Sequence, residues 1–289
     1  MAVIGASDER AVTGVQLDSR ATERGDLFIA LPGHRRQGYE FIADAVARGA
    51  AAVVHDAALD PAALGDARRA CAAAGVPLIA VTDLSRQAGE IAARHFGHPG
   101  GHMTLVAVTG TNGKTSSTHF IAQALSAEGR RCGIIGTLGC GPYGDLTPSG
   151  LTTPDTVALQ AALSRLREAG CRYAAIEASS HGLAQGRLNA VPVQVALFTN
   201  LTRDHLDYHG DMLAYGEAKA RLFTRPGLRA AVINGDDPFG RALLERVAPD
   251  VQRIVYRLDP MDTPAAAGEV LSVRGYGLRL HARGPNGRA

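Results

Sequence analysis

TLVAVTGTNGKTS, residues Thr104 to Ser116, is the stretch whose reading decides the fold. A short apolar, β-branched run (Leu105, Val106, Ala107, Val108) passes at once into two glycines, a lysine and hydroxyl residues, and then into a helix-compatible segment from His119 to Glu128. That order is strand, glycine loop, helix. Such a loop turns successive backbone N–H groups toward one point, where the helix N-terminus adds positive potential, so a polyphosphate exchanges its water for fixed donors. In this reading Lys114 reaches the outer phosphates and Thr115 offers its hydroxyl to a magnesium ion.

The strict GxxxxGK pattern asks for glycine at position 108, where this chain has Val108; Gly110, Gly113, Lys114 and Thr115 fit the shorter variant GTNGKT. The bland alternative is a tight turn that binds nothing. Against it stands the Gly-Lys-Thr at the strand-to-helix junction, a far rarer feature than a glycine turn.

A chain of 289 residues has room for two domains of ordinary size. With 46% hydrophobic and 20% charged residues it reads as soluble and globular. A formal net charge of +2 gives no reason to expect nucleic acid or an anionic membrane as partner. The four cysteines are far apart, without metal-binding spacing, and read as free thiols of a reducing compartment. No signal peptide is expected in MAVIGASDER, nor any window near the ~18 apolar residues of a membrane helix. The expectation is a cytoplasmic, monomeric protein.

Upstream of the loop, residues 1–98 read as a small α/β domain. Strands are expected at Val12 to Leu17, Asp26 to Leu31, Ala51 to Val54 and Leu78 to Val81, and helices at Tyr39 to Arg48 and, with a serine cap, Ser85 to Phe96. Ser19 and Arg20 in QLDSR, and His34, Arg35 and Arg36 in LPGHRRQG, put hydroxyl and basic groups just after strands, where phosphate or sugar oxygens are often held. Loop polarity alone would also put polar residues there. GHPGGH (97–102) is the expected domain boundary.

Residues 99–289 alternate strands and helices at βαβ spacing, which predicts a P-loop central domain with a mostly parallel, doubly wound sheet. Ligands gather at the carboxyl ends of strands in such sheets. Polar clusters fall at those ends: Glu177 with Ser179, Ser180 and His181; then Asn200, Asp204, His205, Asp207 and His209; then Asn234, Asp236 and Asp237. Glu177 and His205 are suitably typed to hold divalent ions against a nucleotide, although magnesium prefers oxygen ligands. The competing reading makes His205 and Asp207 a cap on their own loop. Lys219, on a helix in AYGEAKARLF, is expected to be solvated.

Together LDSR, GDLFIALPGH, VTGTNGKTS, TTPDT, EASSHGLAQGR, TNLTRDHLDYHGDM, YGEAKARLF and NGDD, in this order over nearly the whole chain, resemble the Mur ligase family of peptidoglycan precursor synthetases, and within it the tripeptide synthetases. The resemblance implies a reaction. ATP phosphorylates the D-glutamyl carboxylate of UDP-N-acetylmuramoyl-L-alanyl-D-glutamate, and a diamino acid, meso-diaminopimelate or L-lysine, attacks the acyl phosphate. It also implies roles. Gly110, Thr111, Asn112, Gly113, Lys114, Thr115 and Ser116 would bind ATP, with Asn234 near the adenine. Thr115, Glu177, His205 and Lys219, the last as a carbamate, would hold Mg2+. Leu17, Ser19, His34, Arg35 and Arg36 would face the uridine diphosphate, and Thr152, Thr153, Ser179, Gln185 and Arg187 the sugar-peptide part.

Two departures accompany the resemblance. Arg35 and Arg36 are not the residues that commonly follow the histidine of that loop. The family also carries a C-terminal, Rossmann-like domain that binds the incoming amino acid, and this chain is expected to stop before it. The competing readings are a binding module that holds precursor and nucleotide without joining them, and a sister enzyme such as the dipeptide-adding ligase or a folate polyglutamate synthetase.

Overall fold

The computed structural model describes residues 11–33 and 36–257, with the backbone of two later strands, Glu269–Arg274 and Arg279–Leu280. The chain forms two compact units, one of Met1–His98 with Thr156–Ala161 and one of Pro99–Asp155 with Ala162–Ala289.

In the first unit the order is β1 (Gly14–Gln16), β2 (Asp26–Ala30), α1 (Ile42–Ala47), β3 (Ala52–Asp56), α2 (Gly65–Ala74), β4 (Leu78–Val81) and α3 (Leu84–His95). The four strands pair in parallel in the order β1-β2-β3-β4. Because side chains alternate across a strand, Phe28 and Val53 enter one core with Ile42, Leu64 and Cys71, while their neighbours Ile29 and Val54 enter another with Val15, Leu84 and Ile91. Helix α2 was not expected. Its buried contacts are Ala67 and Cys71, side chains too small to leave a strong periodic signal in GDARRACAAA. The expected serine cap of α3 is also corrected. The cap position is Asp83 in a left-handed conformation (φ 52°) with no side-chain cap, and the Leu84 N–H is taken instead by Asp56 Oδ2 at 2.9 Å, from the end of β3.

The second unit runs β5 (Thr104–Thr109), α4 (Lys114–Ala127), β6 (Cys132–Gly136), β7 (Gly139–Pro142), α5 (Thr156–Glu168, its first six residues grouping with the first unit), β8 (Tyr173–Glu177), α6 (Ser180–Ala184), β9 (Val193–Phe198), α7 (Leu206–His209), α8 (Met212–Ala220), β10 (Ala230–Asn234), α9 (Pro238–Leu244), β11 (Gln252–Arg257), β12 (Glu269–Arg274) and β13 (Arg279–Leu280). The sheet order is β13-β12-β11-β10-β9-β5-β8-β6-β7, parallel except for the antiparallel pairs at its two edges. The expected doubly wound sheet is present. Strand β5 lies between β8 and β9, with Val108 level with both Glu177 and Leu197. The chain leaves β5 toward β6 on one side and later continues through β9, β10 and β11 on the other, so the winding reverses at β5, where such sheets open a crevice.

The four cysteines are free thiols. Among the described residues no helix is long and apolar enough to cross a membrane.

Candidate active site at the glycine loop

The loop that follows β5 is fixed by its neighbour β9. Gly110 has φ 147°, and a side chain there would overlap the Thr199 hydroxyl. That hydroxyl donates to Asn112 O at 2.6 Å, and the side chain of Asn200 brackets the backbone of the same residue, its Oδ1 accepting from Asn112 N at 3.0 Å and its Nδ2 donating to Asn112 O at 3.3 Å. The Thr111 N–H goes to Asn200 O at 2.8 Å. Gly113 then takes the cap position of α4 in a left-handed conformation, with no side chain to satisfy the first-turn amides. Uncapped first-turn amides and a helix dipole attract negative charge.

Lys114 does not point away into water. Its Nζ donates to Gly110 O at 3.0 Å and Thr111 O at 2.8 Å. Burial lowers its pKa from the ordinary lysine value, against the opposing pull of the Glu177 and Asp204 carboxylates. Thr115 Oγ1 donates to Glu177 Oε2 at 2.9 Å. Glu177, 1% exposed at the end of β8, also accepts from the Thr137 backbone N–H at 2.9 Å (Oε1) and the Thr137 hydroxyl at 3.1 Å (Oε2).

Lys219 overturns its expected exposure. It is 1% exposed, its Nζ donates to Gly110 O at 2.7 Å, and it lies 4.5 Å from the centroid of the Tyr215 ring. Helix α8 presents this face because Asp211 caps it through Ala214 N, and Tyr215, Ala218 and Ala220 sink into the unit beside Lys219. Burial, then the neighbouring Lys114 cation, pushes its pKa down from 10.5 to about 7. Tyr215 itself is fully buried, its hydroxyl 3.1 Å from Thr111 Oγ1.

His205 occupies a left-handed backbone position (φ 52°) and makes its contacts with Asp204 (Nε2 to Oδ2, 3.4 Å), the His181 ring (4.8 Å) and the Tyr215 ring (6.2 Å). His181 and His209 belong to the same cluster, and burial lowers both of their pKa values. Among the described residues no three His, Cys, Asp or Glu side chains gather as a ready metal centre. The donor set nonetheless suits a hard cation. Thr115 supplies a hydroxyl, and the Glu177 carboxylate, with its three hydrogen bonds, has a lone pair to spare.

The expected sugar-peptide residues come together. Thr153 Oγ1 contacts Glu177 O at 2.6 Å and Ser179 Oγ at 2.9 Å; Arg187 Nη1 donates to Thr153 O at 2.5 Å and its Nε to Gln185 Oε1 at 2.9 Å. Thr152 meets the Thr137 hydroxyl at 3.0 Å. Asn234 lies at the end of β10 with its amide held by backbone, Nδ2 on Thr199 O at 2.8 Å and Oδ1 on Asp236 N at 2.9 Å. In the first unit Ser19 is buried, with its hydroxyl on the Asp44 carboxylate, and Leu17 packs at the edge of a core. Arg36 pairs with Glu40 at 2.9 Å and lies over the Phe41 ring. His34 and Arg35 lie outside the described residues.

Sequence reasoning left out Thr137, Thr199 and Tyr215 as site residues, and named Asn200 and Asp204 only as part of a polar cluster. The signal for Thr199, Asn200 and Asp204 was their place after β9, beside the loop strand; Thr137 and Tyr215 carried none.

The model of the Mur ligase family, catalytic domain, matches residues 11–96, and that of the Mur ligase middle domain residues 108–268. The chain is 47% identical over 274 residues to the UDP-N-acetylmuramoyl-L-alanyl-D-glutamate–2,6-diaminopimelate ligase of Alkalilimnicola ehrlichii, covering 95% of this chain and 55% of that protein. To the ligase of the same name from Pseudomonas aeruginosa it is 49% identical over 253 residues, covering 88% and 50%. The chain thus spans about half the length of the curated relatives it matches. A solved structure of a ligase of that name superposes with a TM-score of 0.78 at 35% identity, over 96% of this chain and 54% of that one. At 20% identity, MurF ligase from Thermotoga maritima shares the fold, with a TM-score of 0.53 over 86% and 51%. With the middle-domain model alone matching residues 108–268, the chain belongs to the Mur ligase family.

Proposed function

We propose that this chain is the precursor-binding and ATP-binding part of an ADP-forming carboxylate-amine ligase of peptidoglycan synthesis. The substrate would be UDP-N-acetylmuramoyl-L-alanyl-D-glutamate and the incoming amine 2,6-diaminopimelate, the choice over lysine resting on the names of the relatives at 47% and 49% identity. Such a reaction belongs to the cytoplasm, where both ATP and the precursor are made. The observation that carries the reading is the convergence of Lys114, Thr115, Glu177 and Lys219 on one glycine loop.

A carboxylate is a poor electrophile until one of its oxygens becomes a leaving group. Transfer of the terminal phosphoryl group of ATP to the D-glutamyl carboxylate supplies that, releasing ADP; attack by the amine then forms the amide and expels phosphate. Lys114 would leave its loop carbonyls for the phosphates, and the first-turn amides of α4 would hold their oxygens. Thr115, Glu177, His205 and a carbamylated Lys219 would hold magnesium, which when bound offsets the charge on the transferring group. Carbamylation needs a neutral amine, and a lysine whose pKa has fallen to about 7 supplies one at physiological pH.

The test is incubation of the ligase that includes this part with ATP, magnesium, the UDP-muramoyl dipeptide and either diaminopimelate or lysine, following phosphate release and product mass. Product with diaminopimelate alone is expected. Binding of both ligands without turnover would support the binding-module reading, and product with lysine would overturn the choice of amine.

A further inference from the structure

The two-residue turn Thr137–Leu138 joins β6 to β7, with Gly136 directly opposite Gly139. Neither flanking position tolerates a side chain. A Cβ on Gly136 would overlap Glu177 Oε1, and Gly139 has φ 136°. The turn is thereby held against the end of β8. It delivers both polar groups of Thr137 to one carboxylate, the N–H to Glu177 Oε1 at 2.9 Å and the hydroxyl to Glu177 Oε2 at 3.1 Å. Glu177 Oε2 also takes the Thr115 hydroxyl at 2.9 Å, and on its other side Thr137 Oγ1 meets Thr152 Oγ1 at 3.0 Å.

These contacts form an unbroken line, Thr152 to Thr137 to Glu177 to Thr115. A threonine has one hydroxyl proton, and a carboxylate only accepts. The Thr137 hydroxyl has both Glu177 Oε2 and Thr152 Oγ1 as acceptors, at 3.1 and 3.0 Å, so its one proton is shared between them. An N–H or O–H donor arriving at Thr152 occupies that acceptor and returns the Thr137 proton to Glu177, strengthening the bond at the carboxylate oxygen that Thr115 also shares. The far end is the hydroxyl beside Lys114.

We infer that Thr137 is a positioning residue that couples occupation of Thr152 by a hydrogen-bond donor of the sugar-peptide substrate to the geometry of Glu177 and Thr115 at the nucleotide phosphates. The inference rests on the proposed function for the identity of the two ligands. Its chemistry rests on the hydroxyl line alone. Thr137 is exposed, so losing its hydroxyl leaves the core intact.

The experiment measures the affinity for magnesium AMP-PNP by calorimetry, with and without saturating UDP-N-acetylmuramoyl-L-alanyl-D-glutamate, in the wild-type chain and in Thr137→Val and Thr137→Ser. The dipeptide is expected to tighten nucleotide binding about five-fold in the wild type, the scale of one coupled hydrogen bond. In Thr137→Val the ratio should fall to about one while each ligand alone binds within about three-fold of wild type, and Thr137→Ser should restore it. A ratio unchanged in Thr137→Val, or a wild-type ratio of one with both ligands bound, overturns the inference and leaves the proposed function standing. A wild-type chain that binds neither ligand overturns both.

Discussion

Lys114 and Lys219 donate to the same oxygen, the carbonyl of Gly110, at 3.0 and 2.7 Å. One cation comes from the first turn of α4 and the other from the last turn of α8, so the glycine loop is the point where two distant segments of the chain place like charges together. Like charges at that range repel, and burial removes the water that would screen them. A polyphosphate would relieve the arrangement by giving Lys114 an anion, and a carbamate on Lys219 would turn repulsion into attraction.

Lys219→Met should therefore stabilise the fold at low pH. Unfolded, the lysine keeps its proton up to about 10.5; folded, it keeps it only up to about 7. Between those values folding releases a proton, so this group's contribution to stability rises with pH, and below about 7 the fold carries the whole cost of a buried ammonium. Urea unfolding at pH 6 and pH 9 checks this. The variant is expected to gain about 1–2 kcal/mol at pH 6, with the gap narrowing by pH 9. The same variant, and Lys219→Ala, should fail to form acyl phosphate even with added bicarbonate.

Gly110→Ala should lose the loop rather than the domain. A methyl group at φ 147° is strained and overlaps the Thr199 hydroxyl that holds Asn112. A destabilisation of about 2–4 kcal/mol is expected, together with loss of measurable nucleotide affinity. The readouts are thermal melting and titration with ADP.

Glu177→Gln keeps the shape of the site but puts an amide where one carboxylate oxygen accepts from the Thr115 and Thr137 hydroxyls or the other from the Thr137 N–H. It should reduce turnover by about 100-fold or more and flatten the magnesium dependence of nucleotide binding, since the hardest oxygen donor of the site is gone. A magnesium titration at fixed ADP measures the second effect directly.

The fold was largely legible because short apolar runs such as Leu105 to Val108 and Tyr173 to Ile176 announce buried parallel strands, and the strand–loop–helix order of residues 104–128 leaves little freedom. Local sequence does not report depth. Lys219 looks solvated in AYGEAKARLF, and only the packing of α8 through Tyr215, Ala218 and Ala220 shows it buried. Thr137 was illegible for a related reason: β7 is GCGP, too short and too rich in glycine to read as a strand, so nothing marked the preceding residues as a hairpin turn. The metal-site expectation was only partly a matter of side-chain type. Glu177 and Thr115 touch, while His205 joins the neighbouring histidine and tyrosine cluster.

The central claim is that the glycine loop is a polyphosphate site worked by Lys114. Calorimetric titration of this chain with magnesium AMP-PNP tests it, alongside Lys114→Ala. The account predicts one site per chain in the wild type and an affinity about 100-fold weaker in the variant, the scale of losing charge-assisted bonds to phosphate. Equal affinity in the two proteins, or no binding by the wild type, would contradict it.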